Sequence, residues 1–231
     1  MGRHRVAALE PGPTRSALTH QGEAAAAQGP TGGVRVDIDA SAAPQLRLWL
    51  EHVQRLCMTW HPQAAALLDT PGFAPPQRLL LRAQPTLGGG PRRVGTPAVT
   101  SGTVITVGAD WINLHPEDTG LVLHELVHVV QSYPNGDPWW VTEGIADWVR
   151  YQRFERSDPR AHPDVRGHSY RDGYAVTAAF LAWIEATYNV ALVATLNTAM
   201  RNSAWYPGLF SVTTGVTVDE LWARFVNASA G

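Results

Sequence analysis

The sequence predicts an α+β fold, a small mixed sheet followed by a mainly helical half, and three observations carry that reading. Residues 34–39 alternate with period two, short apolar or β-branched runs stand at Leu79–Leu81 and Thr103–Val107, and the chain beyond Pro116 reads helical. Strands gathered before helices belong to an α+β architecture. The chain of 231 residues is 45% apolar, enough for one compact domain, and it shows no internal repeat.

Residues 1–33 combine Pro11, Pro13 and Pro30 with the alanine run 24–27 and Gly29, Gly32 and Gly33. They show no apolar periodicity and are expected to form a disordered tail. Arg3 and Arg5 are not followed by the apolar run of about 7–15 residues that a secretory signal requires, so no signal peptide is expected in this chain. The domain is expected over residues 34–231. Val34, Val36 and Ile38 alternate with Arg35, Asp37 and Asp39, the pattern of a half-buried strand. Leu46, Trp49, Leu50, Val53, Leu56, Cys57 and Trp60 then predict a helix that ends before Pro62 and packs Cys57 inside. Leu79–Leu81 and Thr103–Val107 read as two further strands, divided by Gly88 to Pro91. Past Pro116, helices are expected over residues 117–131, 142–154, 173–187, 190–201 and 218–227. Thr142 is placed to cap the second of these, and Thr217 with Glu220 forms a capping box at the last.

Composition removes several functions. Eighteen basic and 20 acidic side chains leave a formal charge of -2, so no global field draws nucleic acid or an anionic membrane. All the basic residues are Arg, which excludes a Schiff-base lysine and a P-loop lysine. Cys57, the single cysteine, excludes an intrachain disulfide, a Cys-rich zinc cluster and a redox CxxC pair. No stretch reaches the roughly 18 apolar residues of a membrane span.

The chemistry concentrates in His124-Glu125-Leu126-Val127-His128, an H-E-x-x-H pattern inside an apolar run of helical length. At about 100° per residue the two histidines differ by about 40° net, so both imidazoles project from one face and can hold one metal ion. Glu125 lies about 100° round from His124, beside the ligands, where a carboxylate can take a proton from activated water. Burying two imidazoles and a carboxylate on an apolar helix is costly unless they are paired or bind metal.

Catalytic zinc takes three protein ligands, and the third separates the subclasses. Gln131 and Pro134 stand where a metzincin has Gly and His, so that class is disfavoured. Glu143 follows the turn Tyr133 to Pro138 and can face back across an antiparallel helix pair. Asp147, four residues on, can accept the spare ring N–H of a ligand histidine; its alternative is a pair with Arg150 or Tyr151. The rivals to Glu143 are His115, about two turns from His124, and the loop residues His162 and His168. Tyr174, Tyr170 and His168 are the candidates for steadying an oxyanion, with Tyr174 first.

The runs Gly120–Gln131 (GLVLHELVHVVQ), Glu143–Arg150 (EGIADWVR) and Gly173–Leu181 (GYAVTAAFL) resemble the plant basic secretory protein family and its bacterial relatives. The likeness continues in Val34–Ile38, Thr103–Thr106, Ala109–Trp111 and Val218–Trp222, and so covers residues 34–227. It implies a gluzincin-like zincin core, a zinc metallopeptidase with His124, His128 and Glu143 as ligands, Glu125 as base and one Zn2+. Peptide or protein is the implied substrate. Related folds lay the substrate on a sheet edge, for which Thr103–Val107 is the expected strand. An aminopeptidase would carry a glutamate there; Ser101–Gly108 has none, which favours an endopeptidase. Secretion is implied by the plant members alone. The rival reading is an inactive zinc-containing module that binds peptide or glycan, and Glu125, which zinc binding does not need, argues against it. A deformylase is disfavoured because Cys57 lies outside any metal motif.

Overall fold

A computed structural model describes residues 33–88 and 96–229 of the chain. The predicted tail lies outside these residues except for Gly33. The first strand, β1 (Arg35–Asp39), feeds the crossover helix α1 (Arg47–Leu67), which returns the chain to β2 (Arg78–Gln84) parallel to β1. β3 (Ala98–Ser101) and β4 (Val104–Gly108) form a hairpin, and β4 pairs parallel with β2. The sheet order is β1-β2-β4-β3, with only β3 antiparallel to its neighbour. This is the mixed N-terminal sheet that the alternation implied, followed by a mostly helical remainder.

Two local expectations fail here for physical reasons. The helix does not stop at Pro62: α1 continues to Leu67 because Ala64 and Leu68 bury their side chains in the core. Pro62 sits on the exposed face, where the helix carbonyl that it cannot serve can turn to water. The second correction concerns the sheet edge. Thr103–Val107 was the expected edge, but β3 covers it, and the four-residue strand Ala98–Ser101 is the actual edge. Gly102, at φ 58°, allows the tight reversal between Ser101 and Val104 that brings β3 back onto β4.

The helices that follow are α2 (Ala109–Leu114), α3 (Gly120–Gln131), α4 (Trp139–Val149), α5 (Tyr174–Tyr188), α6 (Leu192–Arg201), α7 (Leu209–Thr214) and α8 (Val218–Ala228). α2 and α7, six residues each, are too short to announce themselves by periodicity. Thr142 does not cap α4. The helix starts three residues earlier at Trp139, since Trp140 and Val141 enter the core, and the Thr142 hydroxyl bonds the Gly136 carbonyl instead. Beyond Val149 a π-helical turn, Arg150–Phe154, ends the segment. Thr217 does cap α8, accepting from the Glu220 N–H.

α3 is wedged between two hydrophobic cores. Val122, Leu123, Leu126 and Val129 belong to the core between the sheet and α1. Val127 and Val130 belong to the core formed with α4, α5, α6 and α8. At about 100° per residue these two sets cover an arc of about 160°, and the polar residues His124, Glu125, His128 and Gln131 fall in the remaining arc of about 200°, beside Leu121, which packs on the sheet-side core. The polar strip is thus the one face of α3 that neither core claims. Among the described residues no helix is long and apolar enough to cross a membrane.

Candidate metal centre and cleft

α4 packs antiparallel against α3 through Trp140, Val141, Ile145 and Ala146, which turns Glu143 and Asp147 towards the polar strip. The close approach of α4 to α5 depends on Gly144: a Cβ there would lie 2.3 Å from the Thr177 Cγ2. Glu143 Oε2 lies 3.1 Å from His124 Nε2 and 3.4 Å from His128 Nε2, and the two Nε2 atoms are 3.0 Å apart. Among the described residues these three side chains form the only group of three or more His, Cys, Asp or Glu with ligand atoms so close, all within 4.8 Å.

The surrounding hydrogen bonds decide what those three atoms present. His124 Nδ1 lies 2.6 Å from Asp147 Oδ1, an acceptor when ionised, so that nitrogen carries the proton. His128 Nδ1 lies 2.8 Å from Gln131 Oε1, whose amide nitrogen donates to the Thr142 carbonyl, so this Nδ1 is protonated as well. With Nδ1 occupied in both rings, each turns its Nε2 towards the same point as the Glu143 carboxylate. Three lone pairs within 3.4 Å of one another repel unless a cation sits among them. A proton meets the need in the bare chain. Burial disfavours the His124 imidazolium, but Asp147 and Glu143 outweigh it and push its pKa up to about 10. Burial likewise opposes the Glu143 charge, and the two imidazoles hold its carboxyl down at about 2. A divalent ion meets the need too: a tetrahedral site with bonds of about 2.0–2.1 Å has edges of about 3.3 Å, close to the three separations here.

Glu125 stands beside this group. It is 6% exposed and takes a 2.6 Å hydrogen bond at Oε2 from the Thr100 hydroxyl on β3. A cleft of about 730 Å³ opens over the site, lined on one side by Thr96 to Thr100 and on the other by Glu143, Tyr174 and Ala175. Tyr174 takes a left-handed backbone (φ 48°) at the start of α5, and its ring lies over His124 with centroids 5.9 Å apart. Burial raises its phenol pKa, as do the carboxylates of Glu143, Asp147 and Glu125, so the hydroxyl keeps its proton.

The other candidates lie elsewhere. Tyr170 is buried and donates to Asp219, away from the cleft. His168 is exposed and bonded to Asp172; His162 is exposed, and His115 stacks beside Trp111. Arg150 binds Asp118 and Glu155, which leaves Asp147 to His124. Trp140 is core, whereas Trp139 is half exposed beside Tyr174. Two contacts were missed in the sequence, and only the first had no signal there. Thr100 precedes Glu125 by 25 positions, and nothing in its strand marks it. Gln131 is different: a polar side chain three residues after His128 on an apolar helix is a visible clue to a ring partner.

Fold and site together define an α+β protein with an H-E-x-x-H helix at the floor of an open cleft. Residues 91–225, more than half of the chain, match the family model described as peptidase of plants and bacteria, and the chain belongs to that family. The match begins after β1 and β2, so the likeness read in Val34–Ile38 falls outside it. No curated protein and no solved structure matches the chain.

Proposed function

We propose that this protein is a zinc-dependent endopeptidase, with His124, His128 and Glu143 as metal ligands, Glu125 as general base and Tyr174 as the donor to the developing oxyanion. The observation that carries this reading is the convergence of three potential ligand atoms within 3.4 Å of one another, next to a carboxylate that stands apart from them. Two imidazoles and a carboxylate suit zinc and leave room for a fourth ligand. Zinc bound there supplies a Lewis acid that polarises a carbonyl and makes water nucleophilic at neutral pH.

The rest is done by the chain itself. Glu125 accepts the proton of the attacking water and returns it to the leaving amine. Tyr174, whose hydroxyl keeps its proton, donates to the carbonyl oxygen as charge develops there. Asp147 and Gln131 fix the ring planes and tautomers of His124 and His128. A second depression of about 400 Å³ shares Thr100, His128 and Thr142 with the main cleft, so the groove continues on both sides of the site. A polypeptide can leave in either direction, which favours cleavage within a chain, and the edge strand β3 offers main-chain pairing along the way.

The test is cleavage of an unbiased peptide library by wild type and Glu125→Gln, with zinc content measured on both. The variant should keep its metal and lose about 10² or more in rate. If both bind zinc and neither cleaves, the peptidase reading gives way to a peptide- or glycan-binding module. Zinc affinity should collapse in Glu143→Ala and stay unchanged in His168→Ala; the reverse would remove Glu143 from the ligand set.

A further inference from the structure

We propose that Thr100 is the positioning residue of the general base: its hydroxyl, carried on the edge strand of the sheet, sets the orientation of the Glu125 carboxylate. The inference rests on the peptidase reading only for what Glu125 does, not for how it is held.

Strand alternation places Ala98 and Thr100 on the same side of β3, and Ala98 is buried against the core while Thr100 reaches α3. The Thr100 Oγ1 lies 2.6 Å from Glu125 Oε2 and 3.0 Å from the Glu125 backbone carbonyl. The first distance is that of a charge-assisted O–H···O⁻ bond, the short and strong kind. The second brings the hydroxyl beside the helix backbone that bears the carboxylate, while its single proton goes to the shorter contact. The glutamate side chain has several rotatable bonds between the helix and its carboxylate, and a donor fixed on a separate element restricts them. Threonine suits the task because its branched Cβ is stiff at χ1 and favours a strand.

The location adds a consequence. β3 is both the strand that holds the base and the wall of the cleft, since residues 96–100 line it. A peptide paired along this edge stiffens the strand from which Thr100 projects. Main-chain binding and the aim of Glu125 are therefore joined through one side chain, and loss of the hydroxyl should lower turnover rather than substrate binding.

The experiment compares wild type, Thr100→Val, Thr100→Ser, Glu125→Gln and the Thr100→Val/Glu125→Gln pair, all zinc-loaded. Valine keeps the shape and strand preference, so the fold should survive. Expected are a fall of roughly 10- to 100-fold in kcat for Thr100→Val at a KM within about twofold, recovery in Thr100→Ser to within about threefold, and little further loss when Thr100→Val is added to Glu125→Gln. Crystal structures of wild type and Thr100→Val give a readout that needs no turnover: Glu125 should leave its wild-type orientation in the variant. Wild-type kcat in Thr100→Val, a full additional loss in the pair, or an unmoved Glu125 each overturns the inference. If wild type cleaves no peptide, the peptidase reading fails and the crystal comparison alone decides whether Thr100 holds Glu125.

Discussion

His124 Nδ1 and Asp147 Oδ1 meet at 2.6 Å across the α3–α4 pair, both side chains almost fully buried. The contact sets the tautomer that turns the His124 Nε2 lone pair into the candidate metal centre. Asp147→Asn keeps the volume and removes the charge that makes the ring a better donor. Zinc affinity should drop about 10- to 100-fold, measured by competition with a chromogenic chelator. Unchanged affinity would mean that Asp147 does no more than fill space.

Gly144 lies between Glu143 and Asp147 at a point where α4 nearly touches α5. An alanine Cβ would meet the Thr177 Cγ2 at 2.3 Å and its Cβ at 2.7 Å, and the second of these cannot rotate away. Gly144→Ala should therefore cost about 1–3 kcal/mol by forcing the helices apart. Calorimetry should show a Tm lowered by several degrees, with zinc affinity reduced alongside because both flanking carboxylates move. A Tm within about a degree of wild type would contradict the close approach.

Arg201, 8% exposed on α6, donates to the Val130 and Gln131 carbonyls at the end of α3 and to Leu68 and the Thr70 hydroxyl at the end of α1. It thus ties together the C-termini of the two helices that flank the sheet-side core. Arg201→Met preserves the stem and leaves those carbonyls unserved. A loss of about 3 kcal/mol is expected, read as a Tm reduced by roughly 6–12 °C. A stability equal to wild type would show that water replaces the guanidinium at no cost.

Cys57 is 1% exposed in the core between α1 and the sheet, and burial alone pushes its thiol up to about 12. The folded protein should resist alkylation by iodoacetamide at pH 8 and react fully in denaturant. Rapid modification of the native form would mean that α1 opens from the sheet.

Several features were legible because they are local. The H-E-x-x-H spacing places His124, Glu125 and His128 on one sector of any α-helix, whatever surrounds it. β1 showed itself by alternation and α8 by Thr217, both signals confined to a few neighbouring residues. The errors arose where tertiary packing overrode a local rule. Pro62 reads as a stop, yet burial of Ala64 and Leu68 carries α1 past it. Thr142 reads as a cap, yet burial of Trp140 and Val141 starts α4 earlier. Four residues of β3 are too few for a pattern, so the edge of the sheet was assigned one strand too far inside.

By itself the sequence determined the class of fold and the helix that bears the histidine pair, and it singled out Glu143 as the residue expected to meet that pair. Tertiary structure alone decided that Glu143 and Asp147 close on the same imidazole, that Gln131 holds the other ring, that Tyr170 faces away and that Thr100 reaches Glu125 from the sheet. Spacing along one helix follows from a fixed rise and turn per residue. The meeting of side chains 19, 23 or 25 positions apart depends on how two cores pack around α3, and no local period encodes that.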